Sequence, residues 1–120
     1  LLAWAQHDYT DANKKHKHSL ALWWTMGTYR PITYTLAGMA GIAAEQRQLA
    51  RAVRLLAASE TTREEIGVRQ DAKSREFESA MAALRGQLDE DEFASLWAEG
   101  AAMTLEEAVA YALEEGDSKD

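Results

Sequence analysis

Residues 71–88 read DAKSREFESAMAALRGQL, and this stretch decides the fold class. Phe77, Met81, Leu84 and Leu88 fall four, three and four residues apart. That spacing places them on one face of an α-helix and on no single face of a strand. The same period recurs on both sides. Ala12, His16, Ser19, Leu20, Trp23 and Trp24 predict a helix over 12–26, and Leu36, Met39, Ile42 and Ala43 predict one ending near Glu45. Leu49, Ala52, Val53, Leu56 and Ala57 predict another, and Leu105, Ala108, Val109, Ala112 and Leu113 predict the last.

The punctuation between these runs fits helices. Residues 1–9 read as the tail of a helix, with Thr10 or Asp11 capping the next. Gly27 suits a helix stop, and Pro31 suits a first helical turn. Thr61 with Glu64, and Thr62 with Glu65, have capping-box spacing and predict a short helical turn stopping near Gly67. Asp89 with Glu92 caps a helix carrying Phe93, Leu96 and Trp97, which Gly100 ends. Thr104 with Glu107 caps the last helix.

Composition narrows the class. A chain of 120 residues fits one domain, and 47% apolar residues suffice for a small core. A single proline and seven glycines are too few turn signals for a sandwich or barrel. Without cysteine, disulfides and thiolate metal sites are excluded, and a reducing compartment, the cytoplasm, is expected. No run of about twenty apolar residues exists to span a bilayer. The first residues, LLAWAQHDY, lack the basic leader of a signal peptide and begin as if inside a helix, which predicts a piece of a longer protein. Net charge is −7 and unevenly placed: residues 1–54 carry seven Lys/Arg and three Asp/Glu, residues 55–120 six and seventeen. An acidic whole argues against nucleic-acid binding by this segment, while the basic front suits an anionic partner or an acidic face of the same assembly.

Aligning His7 with Arg47 pairs Tyr9 with Leu49, Ala12 with Ala52, His16 with Leu56 and Ser19 with Ser59 at an offset of forty residues. In both copies a helix ends, a bulky residue follows the turn and a small one sits three further on. A small residue there lets the second helix of a hairpin approach the first. LLAWAQHDYTDANKKHKHSLALWWTMG and TLAGMAGIAAEQRQLARAVRLLAASE each resemble a tetratricopeptide repeat. RAVRLLAASETTREEIG, then SREFESAMAALRGQLDEDEFASLWAEGAAMTLEEAVAYALE, resembles the end of the helical-repeat region of large bacterial ATP-dependent LuxR-type transcriptional regulators and related signalling ATPases or kinases. The resemblance rests on Arg51, Arg54, Leu55, Leu56, Ala57, Ala58 and Glu60, then Leu84, Phe93, Trp97, Gly100, Leu105, Glu107, Ala108 and Ala112. It departs from the repeat pattern where His7 and Arg47 stand in place of glycine, and in the forty-residue offset, longer than the usual thirty-four or so.

The expected architecture is therefore all-α: stacked antiparallel helical hairpins, a tetratricopeptide-like superhelix closed by short helices. Residues 1–60 would form hairpins, 61–116 capping helices on the same domain, and 117–120 a disordered tail. The resemblance implies binding of protein, from other domains of the parent regulator, or ligand sensing, and no chemistry of the segment's own.

Trp4, Trp23, Trp24 and Tyr29 are many aromatics for a short front. Trp23 and Trp24 are adjacent, so they cannot share one helix face, and aromatics often anchor interfaces. With Lys14 and Lys17 of the basic run KKHKH, Trp4, Trp24 and Tyr29 form the candidate interaction surface. His7, Asp8, His16 and His18 are the one metal-like cluster, but His16 and His18 point different ways on a helix, so no metal is expected. Phe93 and Trp97 share a face and belong to the core. The carboxylates sit at helix starts, where the dipole explains them, or at the tail. No GxxxxGK[ST] loop occurs. No catalytic residue or cofactor is expected. TTREEIG is loosely similar to the start of a DNA-reading helix but lacks a basic recognition helix, so a DNA-contacting module ranks below the alternative of a structural or homo-oligomerisation module, pairing through an exposed Phe77–Leu88 stripe.

Overall fold

The computed structural model describes residues 2–67 and 75–114, with side chains from Asp8 onward. Six helices form in chain order: α1 (Leu2–Met26), α2 (Arg30–Glu45), α3 (Leu49–Glu65), α4 (Arg75–Leu84), α5 (Glu90–Ala101) and α6 (Leu105–Leu113). The fold is all-α, with no strand among the described residues. The tail at 117–120 and the start of the 71–88 stretch lie outside the described residues.

Helix α2 lies at the centre because its sequence is small or apolar on most sides. Ile32, Leu36, Ala37, Met39, Ala40, Ala43 and Ala44 are all buried, and α1, α3 and α4 cover them. A helix apolar nearly all round needs such cover. Thr33 and Thr35 are buried there too, and their hydroxyls donate to the carbonyls of Arg30 and Pro31, each at 2.9 Å. Tyr9 meets Glu45 and His16 meets Gly38, so α1 and α2 pack antiparallel. Helix α3 carries the rest of the core, with Val53, Leu55 and Leu56 fully buried and α5 and α6 against its other side.

Several expected boundaries differ. The turn expected at Tyr9–Asp11 is absent: α1 runs unbroken for 25 residues. Thr10 and Asp11 are exposed side chains of that helix rather than caps. The first hairpin is therefore α1 with α2, not a pair within residues 1–26, and the forty-residue repeat is not realised as two like turns. Thr61 and Thr62 likewise lie inside α3, which crosses the unit boundary expected at residue 60. Tertiary cover overrides the local capping option, for Thr62 is buried. Leu88 lies beyond α4, yet still packs against the core; along the stripe Phe77 and Leu84 are buried, while Met81 and Leu88 are half-buried. The stripe is therefore only partly open, with Phe77 and Leu84 turned into the chain's own core.

Other stops are as read. Gly27 is left-handed (φ 72°), its N–H donating to Trp24 O and the Thr28 N–H to Trp23 O, the paired bonds that close a helix C-terminus. Asp89 accepts from the Glu92 N–H at 2.8 Å. Thr104 and Glu107 form a reciprocal capping box.

Arg47 repeats the Gly27 turn without a glycine. Its φ is 67°, its N–H donates to Ala44 O and the Gln48 N–H to Ala43 O. A side chain in that region costs about 1 kcal/mol. Arg47→Gly should therefore raise the unfolding free energy by about 1 kcal/mol in a denaturant titration. An unchanged or lowered value would show that the Arg47 side chain offsets its backbone strain.

A candidate groove between helices α1, α2 and α4

Where α1 and α4 diverge across α2, they leave a groove of about 450 Å³. Its floor is α2: Ala37, Gly38, Gly41 and Ile42. Tyr9 and Glu45 form one end, and Arg75, Glu76, Ser79 and Ala83 of α4 form the far wall. The floor exists because two glycines three residues apart sit inside α2 without ending it. A Cβ at Gly41 would meet nothing within 4 Å, so the backbone there faces open space. A Cβ at Gly38 would come within 3.3 Å of the His16 imidazole and 4.0 Å of the Glu76 side chain. Gly38 thus lets α1 and α4 close over α2 at one end, and the groove opens from that point toward Glu45.

The polar groups stiffen the walls. The Tyr9 hydroxyl donates to Glu45 Oε1 at 2.7 Å, holding the front of α1 on the end of α2. That bond to the carboxylate raises the Tyr9 pKa above its ordinary value. Burial lowers the His16 pKa and the nearby Glu76 carboxylate opposes that shift, so the neutral imidazole is the form that packs against Gly38. A concave, largely apolar surface of this volume with a few placed polar groups is the geometry of a binding site. A second hollow of about 260 Å³, lined by Met81, Leu84, Leu88 and Phe93 among others, lies at the α4–α5 turn.

Of the residues expected to form an interaction surface, those with described side chains do not line this groove. Trp24 and Tyr29 do meet, with ring centroids 5.8 Å apart, but across the Gly27 turn at the far end of α1 from Tyr9. Trp23 and Trp24 both pack, half-buried, against the core. Lys14 is exposed and Lys17 half-buried on α1, and neither lines the groove. The side chains of Trp4 and His7 lie outside the described residues. His16 faces α2 and His18 is exposed, and among the described residues no group of three His, Asp or Glu converges. The groove residues Gly38, Gly41, Glu45, Arg75 and Ser79 were missed from sequence. The available signal was the pair of glycines inside the apolar run TLAGMAGIAAE, since a glycine that does not end a helix usually has a packing reason.

A second close approach builds the other half of the molecule. Gly100 does not end α5, as expected, but sits within it, buried against α3. A Cβ there would lie 2.3 Å from Arg54 O and 2.8 Å from Arg54 Cα. Beside it, Arg54 Nε donates to Glu99 Oε1 at 2.7 Å and Arg54 Nη1 to the Tyr111 hydroxyl at 3.4 Å. One turn earlier, Arg51 reaches the C-terminus of α6, donating to the carbonyls of Tyr111, Ala112 and Glu114 at 3.3, 3.0 and 3.4 Å. Its guanidinium stacks 5.1 Å from the Tyr111 ring centroid. Arg51, Arg54, Gly100 and Ala112, among the residues that carry the resemblance, therefore meet at the α3–α5–α6 junction.

The chain is similar to three mycobacterial proteins. Each is named "Putative HTH-type transcriptional regulator", one from Mycobacterium bovis and two from strains of Mycobacterium tuberculosis, and each is 36% identical over 75 residues. The chain is similar to transcriptional regulators over part of its length. The match takes in 62% of this chain but only 8% of each relative, so the chain spans a small part of much longer proteins. No family model matches, and no solved structure matches. No described helix is long and apolar enough to cross a membrane.

Proposed function

We propose that this chain is a non-catalytic protein-interaction or signal-sensing segment of a multidomain bacterial transcriptional regulator, within the C-terminal tetratricopeptide-like helical region of the LuxR-type class. The observation that carries the reading is the groove floored by Gly38 and Gly41. A floor with two glycines between Ala37 and Ile42 lets the backbone of a partner segment approach closely at those positions. The similarity to a small slice of much longer regulators supports the multidomain context. Tyr9 and Glu45 hydrogen-bond to each other and shape a wall rather than present a reactive pair. Glu45 and Glu76 against a single arginine, Arg75, make the groove a poor host for a phosphate backbone.

The test is a titration of the isotopically labelled chain with the neighbouring domains of the full-length regulator, produced separately and followed by amide shifts. Shifts concentrated at Gly38, Gly41, Ile42 and Ser79 are expected. Binding of duplex DNA at physiological salt, with those amides unmoved by the protein domains, contradicts the reading.

A further inference from the structure

The outward face of α1 is separate from the groove. Lys15, His18, Leu22 and Met26 fall along one exposed stripe at helical spacing. Leu22 is 47% and Met26 64% exposed, among the largest apolar side chains left open. The stripe carries the Lys15 ammonium in its first half and is apolar in its second. The outward face of α6 has the matching order. Glu106, Ala110 and Leu113 fall four and three apart, all exposed, with Leu113 at 38%. Glu107 is held in the capping box, and Glu106 faces outward beside it.

The spacings coincide. Lys15 to Leu22 and Glu106 to Leu113 are each seven residues, or about 10.5 Å along a helix axis. Laid parallel, α1 of one copy and α6 of another place Lys15 opposite Glu106 and Leu22 opposite Leu113. Ala110 falls between the two contacts and lets the helix axes approach. The antiparallel arrangement sets each charge against a leucine, which costs desolvation with no partner. The same polarity holds at larger scale, for the first 54 residues are net basic and the remainder strongly acidic.

We infer that the outward face of α1 is a docking surface for the outward face of α6 on a second copy of this chain, in parallel register. The contact joins two different patches, so it is heterologous and builds a ring or a head-to-tail row. It leaves the α1–α2–α4 groove uncovered and does not depend on what the groove holds.

Sedimentation velocity from micromolar to millimolar chain, at low and high salt, tests it. The wild type associates with concentration, less so at high salt. Lys15→Glu and Glu106→Lys each weaken association by about tenfold. The chain carrying both reversals recovers it, because the pair is restored with its signs exchanged. Leu22→Asp abolishes it. All three positions are exposed, and unchanged thermal melts by circular dichroism establish that the variants fold. A monomer throughout the range overturns the inference, as does a double reversal no better than the single ones. Association blocked instead by Gly41→Leu places the contact in the groove and overturns it too.

Discussion

Gly100→Ala is expected to lower the unfolding free energy by about 3 kcal/mol, against the usual sign of a helical glycine replacement. In an ordinary helix interior the change stabilises by about 1 kcal/mol, because glycine is the more flexible residue in the unfolded chain. Here the added methyl would lie 2.3 Å from the Arg54 carbonyl oxygen and 2.9 Å from the Ala57 Cβ. Two of its three nearest neighbours are backbone atoms, so no flexible side chain can yield. Helix α5 must lift from α3, loosening the bond between Arg54 and Glu99 and the packing of Leu96 and Trp97. Overpacking of this kind costs about 1–3 kcal/mol and sometimes more. A drop of that size lowers the melting temperature by about 10 °C or more in a domain of this length. Gly41→Ala is the internal control: nothing lies within 4 Å of its added Cβ, and it should be neutral or stabilising by up to about 1 kcal/mol. Equal effects at the two glycines would refute the close-approach account of Gly100.

Arg51→Met should destabilise by about 2–4 kcal/mol, with the loss concentrated in α6. Arg51 is only 4% exposed and donates to three carbonyls at the end of that helix. Those carbonyls lie at the negative end of the helix dipole, where Tyr111 O also accepts from the Glu114 N–H at 3.2 Å. Hydrogen bonds to a charged group contribute about 1.5–3 kcal/mol each when intact, but the carbonyls near Glu114 regain some water on loss of the arginine, which caps the total. Methionine keeps much of the buried volume, so the measured cost reports the polar contacts and the stack on Tyr111 rather than a cavity. Arg51→Lys should recover only a small part, since an ammonium cannot span the carbonyls as a planar fork does. Hydrogen exchange resolves the site: Val109 and Ala112 amides should lose protection before those of α2. A variant within about 0.5 kcal/mol of the wild type, the range of an indifferent surface change, would show that α6 does not need this capping arginine.

These two residues show what was legible and what was not. Asp89 and Thr104 were readable as caps because capping is chemistry within four residues. Gly100 was readable as special, but a glycine near a helix end has two physical explanations, a left-handed stop or a close approach, and only the position of α3 separates them. Tyr9–Asp11 and Thr61–Thr62 looked like breaks because Thr and Asp offer local hydrogen bonds that compete with a helix. Both are overridden by partners distant in sequence: Tyr9 is tied to Glu45, 36 residues away, and Thr62 is buried in the core. Arg51 and Arg54 drew notice only through a resemblance, since nothing near them in sequence announces a buried guanidinium. The groove was the least legible feature. Its floor, end and far wall come from α2, α1 and α4, and the two glycines that open it carry no chemistry of their own.

The proposed role of the groove over Gly41 is to hold a protein segment. Gly41→Leu tests it most directly, because the new side chain enters the groove without meeting the protein at its Cβ. In the titration with the neighbouring regulator domains, Gly41→Leu should leave the melting temperature unchanged or slightly raised and lose binding by about tenfold or more. Binding at wild-type strength by a folded Gly41→Leu chain would contradict it.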